Sequence, residues 1–290
     1  MSDEKSKATL LKEEIMMKGS KGAATLNAEE IKKADDFCVG YKEFLDHSPV
    51  EREAVSYTLE LAKKAGFTEY NENASYNAGD KVYYVNRDKA IALAVIGKNG
   101  VKNGARLAIA HIDSPRIDLK PNPLYEDTNL ALFKTHYYGG LKKYQWTALP
   151  LSLHGTVVKL DGTKVNITWG DDENESCFCV TDLLPHLAKD QVSKPLAKVF
   201  TGEDLNVLVG SRPYEDGNEE KDLVKLNVMS ILNKKYGIVE GDFLSAELCL
   251  IPSFKARDIG FDASMIGGGG DGGKGLAVSV TMIRFALTLH

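Results

Sequence analysis

The chain has 290 residues, of which 43% are hydrophobic and 27% are charged, and its formal net charge is -5. This size predicts a substantial core in one or two domains, and Lys and Arg spread over the whole length exclude a basic face for a nucleic acid. No apolar run reaches the about 18 residues of a membrane span, and the charged start MSDEKSKATLLKEE lacks the apolar core of a signal peptide. We therefore expect a cytoplasmic protein with no nucleic acid partner and no membrane partner.

The N-terminal third predicts two helices. Segment 27–47 carries apolar residues at helical spacing, with Asn27 as the cap before Glu29 and Glu30. Segment 49–67 predicts a second helix that has Pro49 in its first turn and ends at Gly66.

Three short strands are predicted next, over KVYYVNR (81–87), AIALAVIG (90–97) and ARLAIAHID (105–113). The last two are rich in apolar residues, and the segment KNGVKNG that joins them contains two Asn-Gly turn signals. Helices followed by nearly continuous apolar strands predict an α/β layer with a buried sheet.

After about residue 122 the pattern changes to alternating apolar and polar residues between turn signals, which indicates antiparallel strands. Segment 181–191 predicts a short helix, and the acidic loop within 211–222 leads into another helix. After about residue 240 the apolar pattern typical of buried strands returns. The predicted parts are an N-terminal portion of an α/β domain (1–121), a β-rich insertion (122–240), the resumed α/β domain (241–267) and a divergent tail (268–290).

His111 and Asp113 stand at the end of the third predicted strand. Residues i and i+2 of a strand point to the same side, and open α/β sheets place ligands at the carboxyl ends of their strands. A neutral imidazole binds zinc well, and a nearby carboxylate accepts its second ring N–H. A histidine at a strand end is also a common structural residue, so the pair alone leaves both interpretations open.

Longer motifs favour the metal site. The segments AHIDSPRIDLKPNPLYED (110–127), YYGGLKKYQWTALPLSLHG (137–155) and VTDLLPHLAK (180–189) resemble the M18 family of metalloaminopeptidases, specifically its bacterial, aspartyl aminopeptidase-like branch. The similarity runs from about residue 8 to Gly267. The resemblance implies a partial zinc-peptidase α/β/α catalytic domain that is interrupted by a β-rich dimerisation domain. The intact family site holds two zinc ions, and we expect at most part of that site here. The resemblance also implies removal of N-terminal residues, acidic ones among them, from peptides by a homo-oligomer assembled through that inserted domain.

The resemblance assigns roles to individual residues. His111 matches the family's histidine ligand of the first zinc, and Asp113 matches the active-site aspartate that orients that ligand. The family continues with a segment like SMIGAYGQDDRVCAYTS, whose first Asp of the pair bridges the two metals. Here Asp271 falls one place off that position and lacks the Asp-Arg neighbours, so it is a metal candidate that departs from the family pattern. His136, His154 and His186 are interpreted as structural.

The residues after Gly267 depart from the family, which carries an adjacent Glu-Glu pair, a further Asp and a C-terminal His beyond this point. A shifted reading frame through 281–290 is compatible with the string DDKICAYTS, which resembles the family segment. We hypothesise that the tail is frameshifted, which the coding DNA tests. Two functions stay open: a zinc aminopeptidase, or a catalytically inactive truncated fragment that retains only the self-association domain.

Overall fold

The computed structural model describes residues 5–17, 19, 26–215, 221–268 and 278–279. Three helices come first: α1 (Lys7–Ile15), α2 (Ala28–His47) and α3 (Glu51–Lys64). Helix α2 begins with the predicted cap, because the Asn27 side chain accepts hydrogen bonds from the backbone N–H groups of Glu29 and Glu30. The Glu30 carboxylate accepts in return from the Asn27 N–H, which completes a capping box.

Helix α3 starts slightly later than predicted. Val50 occupies the N-cap position, so Pro49 precedes the helix instead of lying in its first turn. The predicted end is confirmed, since Gly66 follows the last turn with a φ of +84°. Helix α3 packs against α2 through one face and buries Ala54 and Val55.

A small sheet follows, made of β1 (Thr68–Glu69), β2 (Lys81–Asn86) and β3 (Ala90–Val95). Strand β2 pairs parallel with β1 and antiparallel with β3, and α3 covers β2 and β3 from one side. Arg87 and Asp88, both with positive φ, form the turn between β2 and β3. Strand β3 lies at the edge of the sheet as described, and its Leu93 and Val95 are exposed.

The third predicted strand, over residues 105–113, does not form. A 3-10 turn (Val101–Asn103) precedes this stretch, and residues 104–115 belong to no helix or strand. Leu107 and Ile109 are 79% and 88% exposed. A strand needs a neighbour whose backbone groups pair with its own, and within the described ranges no segment pairs with this one.

A seven-stranded antiparallel sheet dominates the rest of the molecule, in the order β7-β6-β10-β4-β5-β9-β8. Its strands are β4 (Arg116–Asp127), β5 (Leu130–Tyr138), β6 (Leu151–Val158), β7 (Lys164–Trp169), β8 (Cys179–Val180), β9 (Val207–Gly210) and β10 (Ala246–Pro252). The antiparallel strands predicted for the middle of the chain are therefore present. Strand β4 spans the predicted boundary at residue 121, and β10 lies beyond the predicted boundary at residue 240. The division of the chain into four parts stays a prediction.

The main hydrophobic core lies on this sheet. It includes fully buried Ile117, Phe133, Trp146 and Leu153, and the helix that follows the acidic loop packs on β4, β5 and β9. The remaining helices are α4 (Lys189–Val192), α5 (Leu196–Val199) and α6 (Leu223–Tyr236), with 3-10 turns at Lys143–Gln145 and Glu240–Ser245.

Most of the helix predicted over 181–191 is absent, because only α4 forms and residues 181–188 stay outside it. Pro185 lacks a backbone N–H and disfavours helical geometry in the residue before it. Leu183 and Leu187 are exposed, so no apolar face is buried that would offset this cost.

Strands β11 (Arg257–Ile259), β12 (Met265–Gly267) and β13 (Val278–Ser279) form a third, antiparallel sheet. Among the residues that can be described, none of the helices is both long and apolar enough to cross a membrane. Helices beside a small sheet, together with the large sheet and its covering helix, make a mixed α/β architecture, which confirms the predicted fold class.

Candidate metal centre

His111 and Asp113 lie side by side in the extended segment that leads into β4. Nδ1 of His111 is 3.1 Å from Oδ1 of Asp113 and 2.9 Å from the Asp113 carbonyl oxygen. Both oxygens are acceptors, so Nδ1 carries the proton and Nε2 keeps the lone pair that binds a metal. The His111 side chain is 83% exposed, which leaves Nε2 accessible. The imidazole is therefore not buried among aliphatic side chains.

The second carboxylate oxygen of Asp113 is held by a residue that the sequence did not single out. The Tyr138 hydroxyl, at the end of β5, donates to Oδ2 at 2.8 Å. This hydrogen bond is the main cause that holds the pKa of Asp113 below its ordinary value, and it raises the pKa of Tyr138. Asp113 is therefore ionised and accepts a hydrogen bond on each of its oxygens.

Tyr138 is itself fixed by a buried arginine. The Arg116 guanidinium lies 4.3 Å from the centroid of the Tyr138 ring, and the two residues pair in register between β4 and β5. Arg116 donates to Glu51 on α3 and to Asp118 on β4, both at 2.7 Å. Helix α3, the large sheet and the segment of His111 thus meet at this point.

The turn after Tyr138 packs against the same segment. Gly139 has a φ of +77°, and a Cβ atom placed there would lie 3.4 Å from the Pro115 ring. A residue other than glycine would be strained in this conformation. The motifs HIDSP and YYGG, which are more than 20 residues apart in the printed sequence, therefore form one structural unit. The YYGG motif is the signal in the sequence that could have identified Tyr138.

The donor set fits a zinc ion only in part. His111 has the tautomer and accessibility of a zinc ligand, but within the described ranges no group of three or more His, Cys, Asp or Glu residues could hold a metal. The predicted ligand Asp271 lies outside the described residues. A catalytic zinc needs about three protein ligands. Of the two ligands predicted from the sequence, His111 alone lies among the described residues.

A second polar cluster surrounds His154, which is 1% exposed. Its Nδ1 lies 3.1 Å from Oε1 of Glu53 on α3, and its Nε2 lies 3.2 Å from Oδ1 of Asp171. Burial lowers the pKa of His154, but the hydrogen bonds to Asp171 and Glu53 outweigh it and raise the pKa to about 9. The ring is thus an imidazolium whose two nitrogens both face carboxylates. This arrangement suits the structural role expected for His154 and joins α3 to β6.

Comparison with known sequences identifies the family. The family model for aminopeptidase I zinc metalloproteases (M18) matches residues 44–276. A probable M18 family aminopeptidase 1 from Clostridium acetobutylicum is 51% identical over 234 residues, which are 79% of this chain and 50% of the relative. The probable M18 family aminopeptidase 1 of Borrelia garinii subsp. bavariensis is 44% identical over 251 residues, which are 86% of this chain and 54% of the relative.

Solved structures agree with this assignment. The crystal structure of an M18 family aminopeptidase from Thermotoga maritima matches with a TM-score of 0.81 and 41% identity, and the match covers 88% of this chain and 55% of that one. Aminopeptidase I from Clostridium acetobutylicum matches with a TM-score of 0.77 and 44% identity, over 87% of this chain and 56% of that one. The chain spans about half the length of the curated relatives it matches. The chain belongs to the M18 family of zinc metalloproteases.

Proposed function

We propose that the protein acts as a zinc-dependent aminopeptidase that removes N-terminal residues from peptides. The observation that carries the proposal is the imidazole of His111, whose Nδ1–H is bonded to Asp113 and whose Nε2 is accessible. A zinc ion held there would supply a Lewis acid for the scissile carbonyl and a bound water with a pKa of about 7. In this chain Asp113 fixes the tautomer of His111, and His111 would hold the metal.

The proposal includes features that the family resemblance implies. These are a zinc site that binds two ions in the intact family, the β-rich insertion as a dimerisation domain, and peptides with acidic N-terminal residues among the substrates. Two further features come from the sequence itself: Asp271 as a metal ligand that departs from the family pattern, and a cytoplasmic location. Membership of a family of zinc metalloproteases supports the zinc site, and the names of the relatives support the aminopeptidase activity.

A panel of aminoacyl anilides that includes the aspartyl and glutamyl compounds tests this function. We expect turnover that a chelator abolishes and added zinc restores. His111→Ala should lower the rate by more than about 100-fold, since even the loss of a group that only orients a metal ligand typically costs 10- to 100-fold. His136→Ala, at an exposed position on β5, is the matched control and should keep the rate. An unchanged rate in His111→Ala would overturn the assignment.

We also propose that the protein assembles into a homo-oligomer. Five aliphatic side chains between β8 and β9 are more than half exposed. They are Leu183, Leu184, Leu187, Val192 and Leu196. Exposed aliphatic side chains are typical of a protein interface where they form a contiguous patch, and we propose that these five do so. One structure with the same fold, that of S. cerevisiae mApe1 with a TM-score of 0.58 and 17% identity, is described as a dodecamer.

Light scattering of the protein eluting from a size-exclusion column tests the assembly. We expect a mass well above the monomer's 31.8 kDa and a shift toward it in the double variant Leu184→Glu/Leu187→Glu. Leu160→Glu is the control, because Leu160 is fully exposed in the turn between β6 and β7. A monomeric wild-type protein would contradict the proposal.

A second candidate function follows from the donor set, because the described residues contain no group of three or more His, Cys, Asp or Glu residues that could hold a metal. In that case the protein is catalytically inactive and only self-associates. The two measurements above separate the candidates, because this one requires an oligomer with no zinc-dependent turnover.

A further inference from the structure

We propose that Tyr138 is a positioning residue for the metal ligand His111, and that it acts through Asp113. The inference rests on the proposed function in one respect, since it takes His111 to be a zinc ligand. It extends that function by placing the large sheet, through the last residue of β5, in the support of the metal site.

The first step is that the two oxygens of the Asp113 carboxylate have different partners. Oδ1 accepts from His111 and Oδ2 accepts from Tyr138, so the two hydrogen bonds together set the plane of the carboxylate. The Asp113 side chain is 40% exposed. Without the phenol, water would compete for Oδ2, and the carboxylate would be free to rotate about its Cβ–Cγ bond.

The second step is the rigidity of the phenol itself. Tyr138 pairs in register with Arg116, and the Arg116 guanidinium covers the ring at 4.3 Å. Arg116 is 8% exposed and is clamped between Glu51 and Asp118. The position of the hydroxyl is therefore determined by β4, β5 and α3, and not by the exposed segment that carries His111.

The third step is the chemistry of the imidazole. An exposed neutral histidine has two tautomers, and one of them places the proton on Nε2, where the metal should bind. A carboxylate that is held in line with Nδ1 selects the other tautomer and raises the basicity of the ligand. By holding that carboxylate, the Tyr138 hydroxyl favours the tautomer of His111 that binds zinc.

The tautomer is measurable in the metal-free protein. In long-range ¹H–¹⁵N correlation spectra recorded at an alkaline pH where the His111 signals no longer change with pH, the chemical shifts of Nδ1 and Nε2 give the fraction of each tautomer. His111→Gln identifies the His111 signals by their absence. We expect the Nδ1–H tautomer to predominate in the wild type. A predominant Nε2–H tautomer there would overturn the inference without any variant.

Tyr138→Phe removes one oxygen atom and keeps the ring against Arg116. We expect it to lower the ratio of Nδ1–H to Nε2–H by at least twofold. Tyr137→Phe is the matched control, because it removes the same atom from the neighbouring residue on β5, and it should leave the ratio unchanged. Backbone amide spectra of both variants show whether the sheet is intact.

A double-mutant cycle separates positioning from a general structural effect. Asp113→Ala should lower the ratio at least as much as Tyr138→Phe, and adding Tyr138→Phe to Asp113→Ala should change it no further, because the phenol acts through the carboxylate. An unchanged tautomer ratio in Tyr138→Phe would overturn the inference. The inference would also fail if Tyr138→Phe changed the ratio by the same factor in Asp113→Ala as in the wild type. The tautomer ratio, in the single variants and in the cycle, is measured without metal and without turnover. A failed hydrolysis assay would therefore count against the proposed function and not against this inference.

Discussion

The buried imidazolium of His154 predicts a pH-dependent stability. The pKa of His154 rises from 6.5 to about 9 in the folded protein, a change that corresponds to about 3 kcal/mol of stabilisation. Because the folded-state pKa lies above the ordinary value, this contribution is complete below about pH 6.5 and is lost as the pH rises through about 9. The stabilisation comes from the two facing carboxylates, Glu53 and Asp171, with Ser152 beside them.

The variant His154→Gln isolates this contribution. Its free energy of unfolding, from urea titrations followed by circular dichroism, is subtracted from that of the wild type at several pH values, so that the titrations of other groups cancel. We expect the difference to shrink by about 3 kcal/mol between about pH 6 and about pH 10. His136→Gln, at an exposed position, should show the pH dependence of the wild type. A wild-type minus His154→Gln difference that stays constant across this range would refute the charged state assigned to His154.

Two further predictions concern the large sheet and its helix. Gly155→Ala should destabilise the protein by more than about 3 kcal/mol, because Gly155 has a φ of +138° and an added Cβ would lie 1.9 Å from the Glu247 carbonyl oxygen. Gly241→Ala, where an added Cβ would meet open space, should change the free energy of unfolding little. A similar loss of stability in both variants would contradict this explanation. Glu126→Ala should cost about 1 kcal/mol, because the Glu126 carboxylate accepts from the N–H groups of Val224 and the next residue at the start of α6. Glu126→Gln, which keeps an oxygen acceptor, should lose less in the same unfolding experiment, and equal stability of Glu126→Ala and wild type would argue against the cap.

Local signals predicted helices α2 and α3 well. The start of α2 depends on Asn27 and on residues within one turn of it, so the sequence contains all the information needed. The strand predicted over 105–113 depends on a partner elsewhere in the fold, and apolar alternation does not reveal whether that partner is present. The helix predicted over 181–191 failed for a related reason, since its leucines have no surface to pack on among the residues that the structure describes.

At the site, too, the contacts between residues close in sequence could be predicted, and the long-range contacts could not. The relation between His111 and Asp113 spans two residues and could be predicted, although a strand was expected to hold them and an irregular extended segment does so. Tyr138 is 25 residues from its partner Asp113, and Glu53 is 101 residues from His154. The pairing of β4 with β5 and the position of α3 beside the large sheet create these contacts, and neither follows from spacing along the chain.

The zinc content of purified protein, after chelation and reconstitution, tests the central claim most directly. Elemental analysis of the wild type, His111→Ala and the control His136→Ala gives the number of bound ions per chain. We expect zinc in the wild type and in His136→Ala, and a loss of at least one equivalent in His111→Ala, because its ligand nitrogen is gone. Equal zinc in the wild type and His111→Ala, or no zinc in any of the three, would contradict the assignment of His111 as a metal ligand.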